Sequence, residues 1–369
     1  MTDLSHSPSM KGPSLRLPPQ LPWAQRSRHW VRSQLFPSVG HGILTLLVLA
    51  LLAWAVPTAL NWLVFDATFV GATREACQPG GACWLPITQR WNLFVYGFYP
   101  EAERWRVNLA FALALGAFVL LFFKRLDRRL LLGYLVLLPV VMWWLLKGGA
   151  GLPKVSSTQF AGMTVTVLLG TIGMIFALPL GILLALGRRS KKPVIRALSI
   201  LYIELVRSVP VISLLFMASL MIQLFLPPGS AFDVLLRVQL VLILFTAAYM
   251  AETVRGGLQS LPKGQFEAAQ ALGFGYWKTM GHIILPQVLR QSIPPLLTQF
   301  IGLFKETTLV MIVGVLDIVG IASSTAASAE WVGHDHEIYV FLALYFFVIC
   351  FALSRYARHL EKNLERNRP

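Results

Sequence analysis

Apolar residues gather in eight long runs, 41 to 63, 107 to 123, 130 to 146, 160 to 187, 197 to 226, 237 to 254, 293 to 315 and 338 to 354. A helix needs about 20 apolar residues to cross the hydrocarbon core of a bilayer, so the pattern predicts about eight membrane-spanning helices. Short polar segments rich in Lys and Arg separate them, except between the first two runs, where residues 64 to 106 form a long loop. An even number of spans places both termini on one side. The expected architecture is an all-α integral membrane protein.

Composition supports this reading, because 56% of the 369 residues are hydrophobic and only 13% are charged. A soluble domain carries about 25% charged residues, which excludes an all-soluble chain. The net charge of +15 raises the question of nucleic acid, but the positive residues sit in clusters between apolar runs and form no separate basic domain. Nucleic acid is therefore not an expected partner. Alternating the eight spans puts 23 Lys and Arg on the side of the termini and 7 on the other, with Arg207 and Lys305 left inside apolar runs. The positive-inside rule makes the richer side cytoplasmic, with both termini in the cytoplasm.

The chain divides into a cytoplasmic N-terminal segment (1 to 36), a transmembrane extension (37 to 150), a core (151 to 358) and a cytoplasmic tail (359 to 369). The leader is rich in Ser and Pro to about residue 22, a composition that favours disorder. Trp23 to Phe36 mixes Trp23, Trp30, Val31 and Leu35 with Arg26, Arg28 and Arg32, which fits either a short helix on the membrane surface or a basic linker. No small-x-small cleavage site follows the first run, which is read as an uncleaved span.

In the outer loop, Cys77 and Cys83 flank Gln-Pro-Gly-Gly-Ala, a turn that brings two sulfurs together in an oxidising compartment. A disulfide between Cys77 and Cys83 is therefore expected, over the alternative of two free thiols. With no His nearby in the sequence, the pair lacks the ligands for a zinc shell, and no metal is expected. Cys350, inside the last run, reads as a small buried apolar residue.

The segment from Met250 to Gln291 carries most information. Pro262 and Gly264 punctuate its start, a helix is expected from about Gln265 to Leu272, and Gly273 and Gly275 offer the left-handed cap that ends it. A second helical piece from about Tyr276 is expected to stop at Pro286. Glu267 is expected in the first turn, where the helix dipole favours a carboxylate, with Ala268 and Ala269 allowing close approach of another surface.

Glu267, Ala268 and Ala269, then Gly273, Ile283, Leu285 and Pro286, resemble without a gap the cytoplasmic signature of membrane subunits of ATP-binding-cassette importers. Tyr249 to Gly257, Pro262 to Gln265, Glu204 to Pro210 and Lys305 to Leu309 resemble segments of the polar amino-acid permeases in the same order. The resemblance covers about residues 155 to 358 and implies a five-helix type I importer permease core, with residues 255 to 291 as its coupling loop. The three additional spans and the outer loop look like the M-type membrane subunit of the general L-amino-acid transport system. The resemblance further implies a homologous membrane partner in a heterodimer, two cytoplasmic ATP-binding subunits and an extracytoplasmic amino-acid-binding protein. Glu267, Ala268, Ala269 and Gly273 would then couple transport to the ATPase.

No phosphate-binding Gly-x-x-x-x-Gly-Lys-Ser/Thr loop occurs, so ATP and Mg are expected on the partner and no cofactor on this chain. Nor is there a cluster of His, Cys and carboxylates for catalysis; the chain is expected to be non-catalytic, with no catalytic residue. Arg207, Glu204, Lys305 and Glu306 are costly inside apolar runs unless they pair or face a polar cavity. They either line a path for a zwitterion or fix helix packing through ion pairs; Thr307 and Thr308 either add hydrogen bonds to the path or bond their own backbone. Two rival functions remain: an ion-coupled secondary solute transporter, which should show repeats with interrupted helices, and a membrane scaffold without its own path.

Overall fold

The computed structural model describes residues 27, 30–120, 127–225, 227 and 232–366. The Ser- and Pro-rich leader, most of Trp23 to His29, the basic pair Lys124 and Arg125 and the last three residues lie outside them. Among the described residues the fold is helical, with three isolated bridges and no strand.

The chain forms two compact units. In the first, which holds residues up to Ala67 together with Gln78–Ala82, a π-helical turn spans Val31–Leu35 and the helix α1 spans Val39–Leu60. Ser38 caps α1 by accepting the His41 N–H at 3.3 Å. The helix continues through a π turn to Phe65, and none of its apolar span is buried. A helix apolar on every side, with its backbone bonds satisfied internally, is built for an apolar solvent.

The second unit contains Thr68–Cys77 and everything from Cys83 onward. The helices α2 (Arg104–Leu120) and α3 (Arg128–Lys147) pair, and the Tyr134 hydroxyl of α3 donates to the Leu113 carbonyl of α2 at 2.6 Å. Then follow α4 (Met163–Arg188), α5 (Pro193–Ser208), α6 (Val211–Phe216), α7 (Val234–Ser260), α8 (Lys263–Ala271), α9 (Leu285–Glu306), α10 (Ile318–Ala326) and α11 (Asp335–Arg366). The main core joins Val165, Leu168 and Ile172 of α4 to Val238, Leu242 and Phe245 of α7. A smaller one at the end of the unit rich in Lys and Arg (the basic end) joins Ala185, Ile203, Val254, Leu258, Met280 and Ile284. At the start of α4, Gly162 has φ +63°, and a Cβ there would lie 2.2 Å from the Phe94 carbonyl oxygen, so only glycine lets these two backbones meet.

Six of the eight apolar runs become helices long and apolar enough to span a bilayer. The run 107 to 123 becomes α2, whose continuation beyond Leu120 lies outside the described residues. The run 197 to 226 differs from the expected single helix: α5 and α6 meet at 104°. Val209 is extended and Pro210 follows it, which is where proline forces a helix to break. A second difference lies at Pro286. The expected stop does not occur, and helix runs unbroken from Tyr276 to Val313. A π turn over Thr279–Ile284 shifts the bonding register just before the proline, which falls in the first turn of α9, where its missing N–H costs little.

Two basic residues expected in the outer loops are instead buried. Arg106 donates to the Pro153 carbonyl at 2.9 Å and pairs with Glu103 at 2.6 Å, while Arg237 donates to the Ser219 carbonyl in a π-helical stretch of the bent segment. Both guanidiniums are used internally, so they contribute little to the outer surface.

Candidate functional site

The element that stands out at the basic end is α8. It begins at Lys263, directly after Pro262, and is nine residues long. Its end is a Schellman cap: the Gly273 N–H bonds the Gln270 carbonyl at 2.9 Å and the Phe274 N–H bonds the Ala269 carbonyl at 3.1 Å, with Gly273 at φ +73°. Gly275 is instead extended and opens the next helical turn.

Two expectations about this helix change. Because α8 starts at Lys263, Glu267 is its fifth residue, beyond the first turn, and the dipole gives it little. Glu267 and Ala268 are exposed, but Ala269 is buried. Ala269 therefore seats α8 on its own chain, beside Phe266, which packs on the core around Met280 and Ile284, and only Ala268 leaves room for another surface. Past the cap, Leu272, Phe274, Tyr276 and Trp277 are all exposed, a run of apolar side chains held out from the fold.

Above α8 lies a charged network. Arg188 bonds Glu204 at 2.8 Å and Glu252 at 2.9 Å; Glu252 also takes Arg255 at 2.8 Å and faces Arg207 at 3.7 Å. The Arg207 guanidinium lies 5.4 Å from the Tyr249 ring centroid. Thus Glu204 and Arg207 do not pair with each other. Each reaches a different element, and the network ties the ends of α4, α5 and α7 together. Its centre, Glu252, is missing from the charges expected inside the membrane, although a carboxylate three positions before Arg255 is a recognisable helix pair.

The remaining path candidates behave differently. Thr307 is buried and donates to the Phe304 carbonyl at 2.8 Å, and Thr308 donates to the Lys305 carbonyl at 2.7 Å, so both hydroxyls serve their own helix. Lys305 is exposed and Glu306 half-buried, and among the described residues neither has an ion-pair partner.

At the opposite end, Cys77 and Cys83 are joined with sulfurs 2.01 Å apart. The Cys83 N–H donates to Glu337 at 3.1 Å, and the ligand atoms of Cys77, Cys83 and His334 lie within 4.8 Å of one another. The expectation that no His is near fails here, because the fold brings in a residue some 250 positions away in sequence. A metal ligand must be a thiolate, however, and sulfurs bonded to each other offer none.

A family model described as binding-protein-dependent transport system inner membrane component matches residues 177–366. The chain belongs to that family. Among curated relatives, the inner membrane amino-acid ABC transporter permease protein YhdY of Escherichia coli is 44% identical over 348 residues, covering 94% of this chain and 95% of that one. The glutamate/glutamine/aspartate/asparagine transport system permease protein BztC of Rhodobacter capsulatus is 38% identical over 92% of this chain and 94% of its own. Both similarities cover far more of the chain than the family model and so include most of the residues before 177. A solved structure described as an amino acid ABC transporter with histidines is 26% identical, covers 55% of this chain and 92% of that one, and has a TM-score of 0.49.

Proposed function

We propose that the chain is a membrane permease subunit of an ATP-driven amino-acid importer and that α8 couples it to a cytoplasmic ATPase. The observation that carries the coupling is the geometry of α8: capped at its end, anchored through Ala269, and presenting Glu267, Ala268 and the apolar run from Leu272 to Trp277 outward. A rigid helix of this kind transmits a push as a lever does, because its buried side is continuous with the core of α4 and α7. The relatives that match nearly the whole chain are named as amino-acid permeases of such transporters, which supports amino acids as the substrate class.

In this reading the basic end faces the cytoplasm, a homologous permease completes a heterodimer, two ATPases bring ATP and Mg, and an extracytoplasmic binding protein delivers the substrate. The chain itself catalyses nothing. Arg207 and Glu204 lock helix ends rather than line a path, since each is engaged in the network around Arg188 and Glu252. Lys305 and Glu306, unpaired among the described residues, remain the candidates for contact with the substrate or the second permease.

The test is Glu267→Lys in the assembled transporter. Uptake should fall while membrane abundance and pairing with the other permease stay unchanged, because Glu267 is exposed and outside both cores. Normal uptake by a correctly assembled variant rejects α8 as the coupling element.

A further inference from the structure

Beside α8, at the ends of α4, α5 and α7, lies a cavity of about 390 Å³ lined by Arg188, Arg189, Arg196, Ile200, Arg255 and Gln259. Four guanidiniums around one cavity is a concentration of charge that demands neutralisation. Among the described residues two carboxylates pair with them: Glu204 and Glu252 engage Arg188, and Glu252 engages Arg255. Arg189 has no ion pair among the described residues; it lies 5.2 Å from the Phe266 ring centroid and donates to the Leu258 carbonyl at 3.4 Å. Arg196 is exposed and has no partner among the described residues. The cavity is therefore left with a positive surplus that fits a phosphate-sized anion.

The helix that forms one wall says what else such a ligand carries. On α5, Val194, Leu198, Leu201 and Leu205 are each more than half exposed, and their spacing puts them on one face, while Ser199, Ile203 and Val206 are buried on the other. α5 packs against the ends of α4 and α7 through Glu204, Arg207 and Tyr202, which leaves its apolar stripe facing away from them and next to a basic cavity. Free phosphate has no use for the stripe. A molecule with an anionic head and hydrocarbon tails uses both.

We propose that this cavity binds the headgroup of an anionic phospholipid whose acyl chains lie along the apolar stripe of α5. Arg189 lines this cavity and also a second one of about 480 Å³ that includes Phe266 and Glu267 of α8. A lipid held at Arg189 thus touches the base of the docking helix, and its occupancy should set how firmly α8 is seated. The site stands on this chain's geometry and does not depend on which substrate is carried.

The experiment uses the complete transporter, purified and placed in phosphatidylcholine nanodiscs with or without phosphatidylglycerol. Native mass spectrometry of the released complex should show retained phosphatidylglycerol, and ATPase activity should rise when that lipid is present. Arg196→Gln should lower retention about fivefold, the effect of one cationic side chain near an anionic surface. Arg196→Lys should keep most of it. The control is Lys192→Gln, which removes the same charge from an exposed position that does not line the cavity. Equal losses in Lys192→Gln and Arg196→Gln would mean diffuse surface attraction and overturn the proposal. Full competition by millimolar inorganic phosphate would overturn it too, by showing a site for a free anion.

Discussion

At Asp317 two demands on one carboxyl collide. As the cap of α10 it accepts the Gly320 N–H at 2.9 Å, which favours the charged form. Yet the side chain is fully buried, its second oxygen has no partner, and burial pushes its pKa up to about 7 against these backbone bonds. The folded protein therefore holds the proton more tightly than the unfolded chain, whose carboxyl titrates near 3.8. Its contribution to stability is complete below about pH 4 and is lost as pH rises through 7. Asparagine keeps the capping oxygen and removes the charge. Thermal unfolding of the purified protein should show Asp317→Asn more stable than wild type at pH 8, with the gap closing toward pH 5. A gap of the same size at both pH values would mean that the carboxyl does not titrate in this window. Asp317 carries no signal in the sequence because its burial comes from packing of distant segments, Thr166 and Gly162 among them, that no local pattern reports.

At the scale of elements, legibility follows locality. Apolar runs mark helices through their own composition, so α3, α4, α7 and α11 lie close to where the pattern places them. The Gly273 cap is also readable, since a glycine just after a short helix has one main structural use. What fails are inferences that need a third party. Pro286 reads as a stop because the π turn that accommodates it leaves no composition signal. The bend at Pro210 is masked by apolar residues on both sides, and the partners of Arg207 and Glu204 come from other helices. The cap itself gives a sharp prediction. A Cβ on Gly273 would meet nothing within 4 Å, so the cost of replacing it is conformational and not steric. Gly273→Val places a β-branched residue at φ +73° and should unwind the end of α8, uncoupling ATP hydrolysis from uptake. Gly273→Asn tolerates that backbone and should retain most of the coupling. Equal behaviour of the two variants would show that the left-handed turn is irrelevant to coupling.

For the whole molecule the direction of the chain follows from two pairs of residues. Arg188 near the end of α4 and Glu252 near the end of α7 touch at 2.9 Å, while Val165 and Val238 near the starts share the main core, so α4 and α7 run side by side in the same direction. The chain between them must return from the basic end to the other before α7 can begin. It does so through α5 and α6, which therefore count as one crossing despite the 104° bend. The stretch from Val211 to Phe225 is 15 residues, about 22 Å of helix, short of the about 30 Å hydrocarbon core. α5, joined to it at the bend, extends that crossing. With that crossing counted, α1, α3, α4, the bent pair, α7, α9 and α11 make seven among the described residues, and α2, whose continuation lies outside them, is the eighth that the asymmetry of 23 to 7 in Lys and Arg calls for. Reporter fusions after Arg189 and Arg355 should thus report cytoplasm, and fusions at Gly80 and Asp233 the outside. The Asp233 fusion separates the alternatives: if α5 and α6 dipped into the bilayer and came back, it would report the same side as Arg189, and α7 would have to run against α4. A cytoplasmic signal at Asp233 would therefore contradict both the topology and the packing on which the docking position of α8 depends.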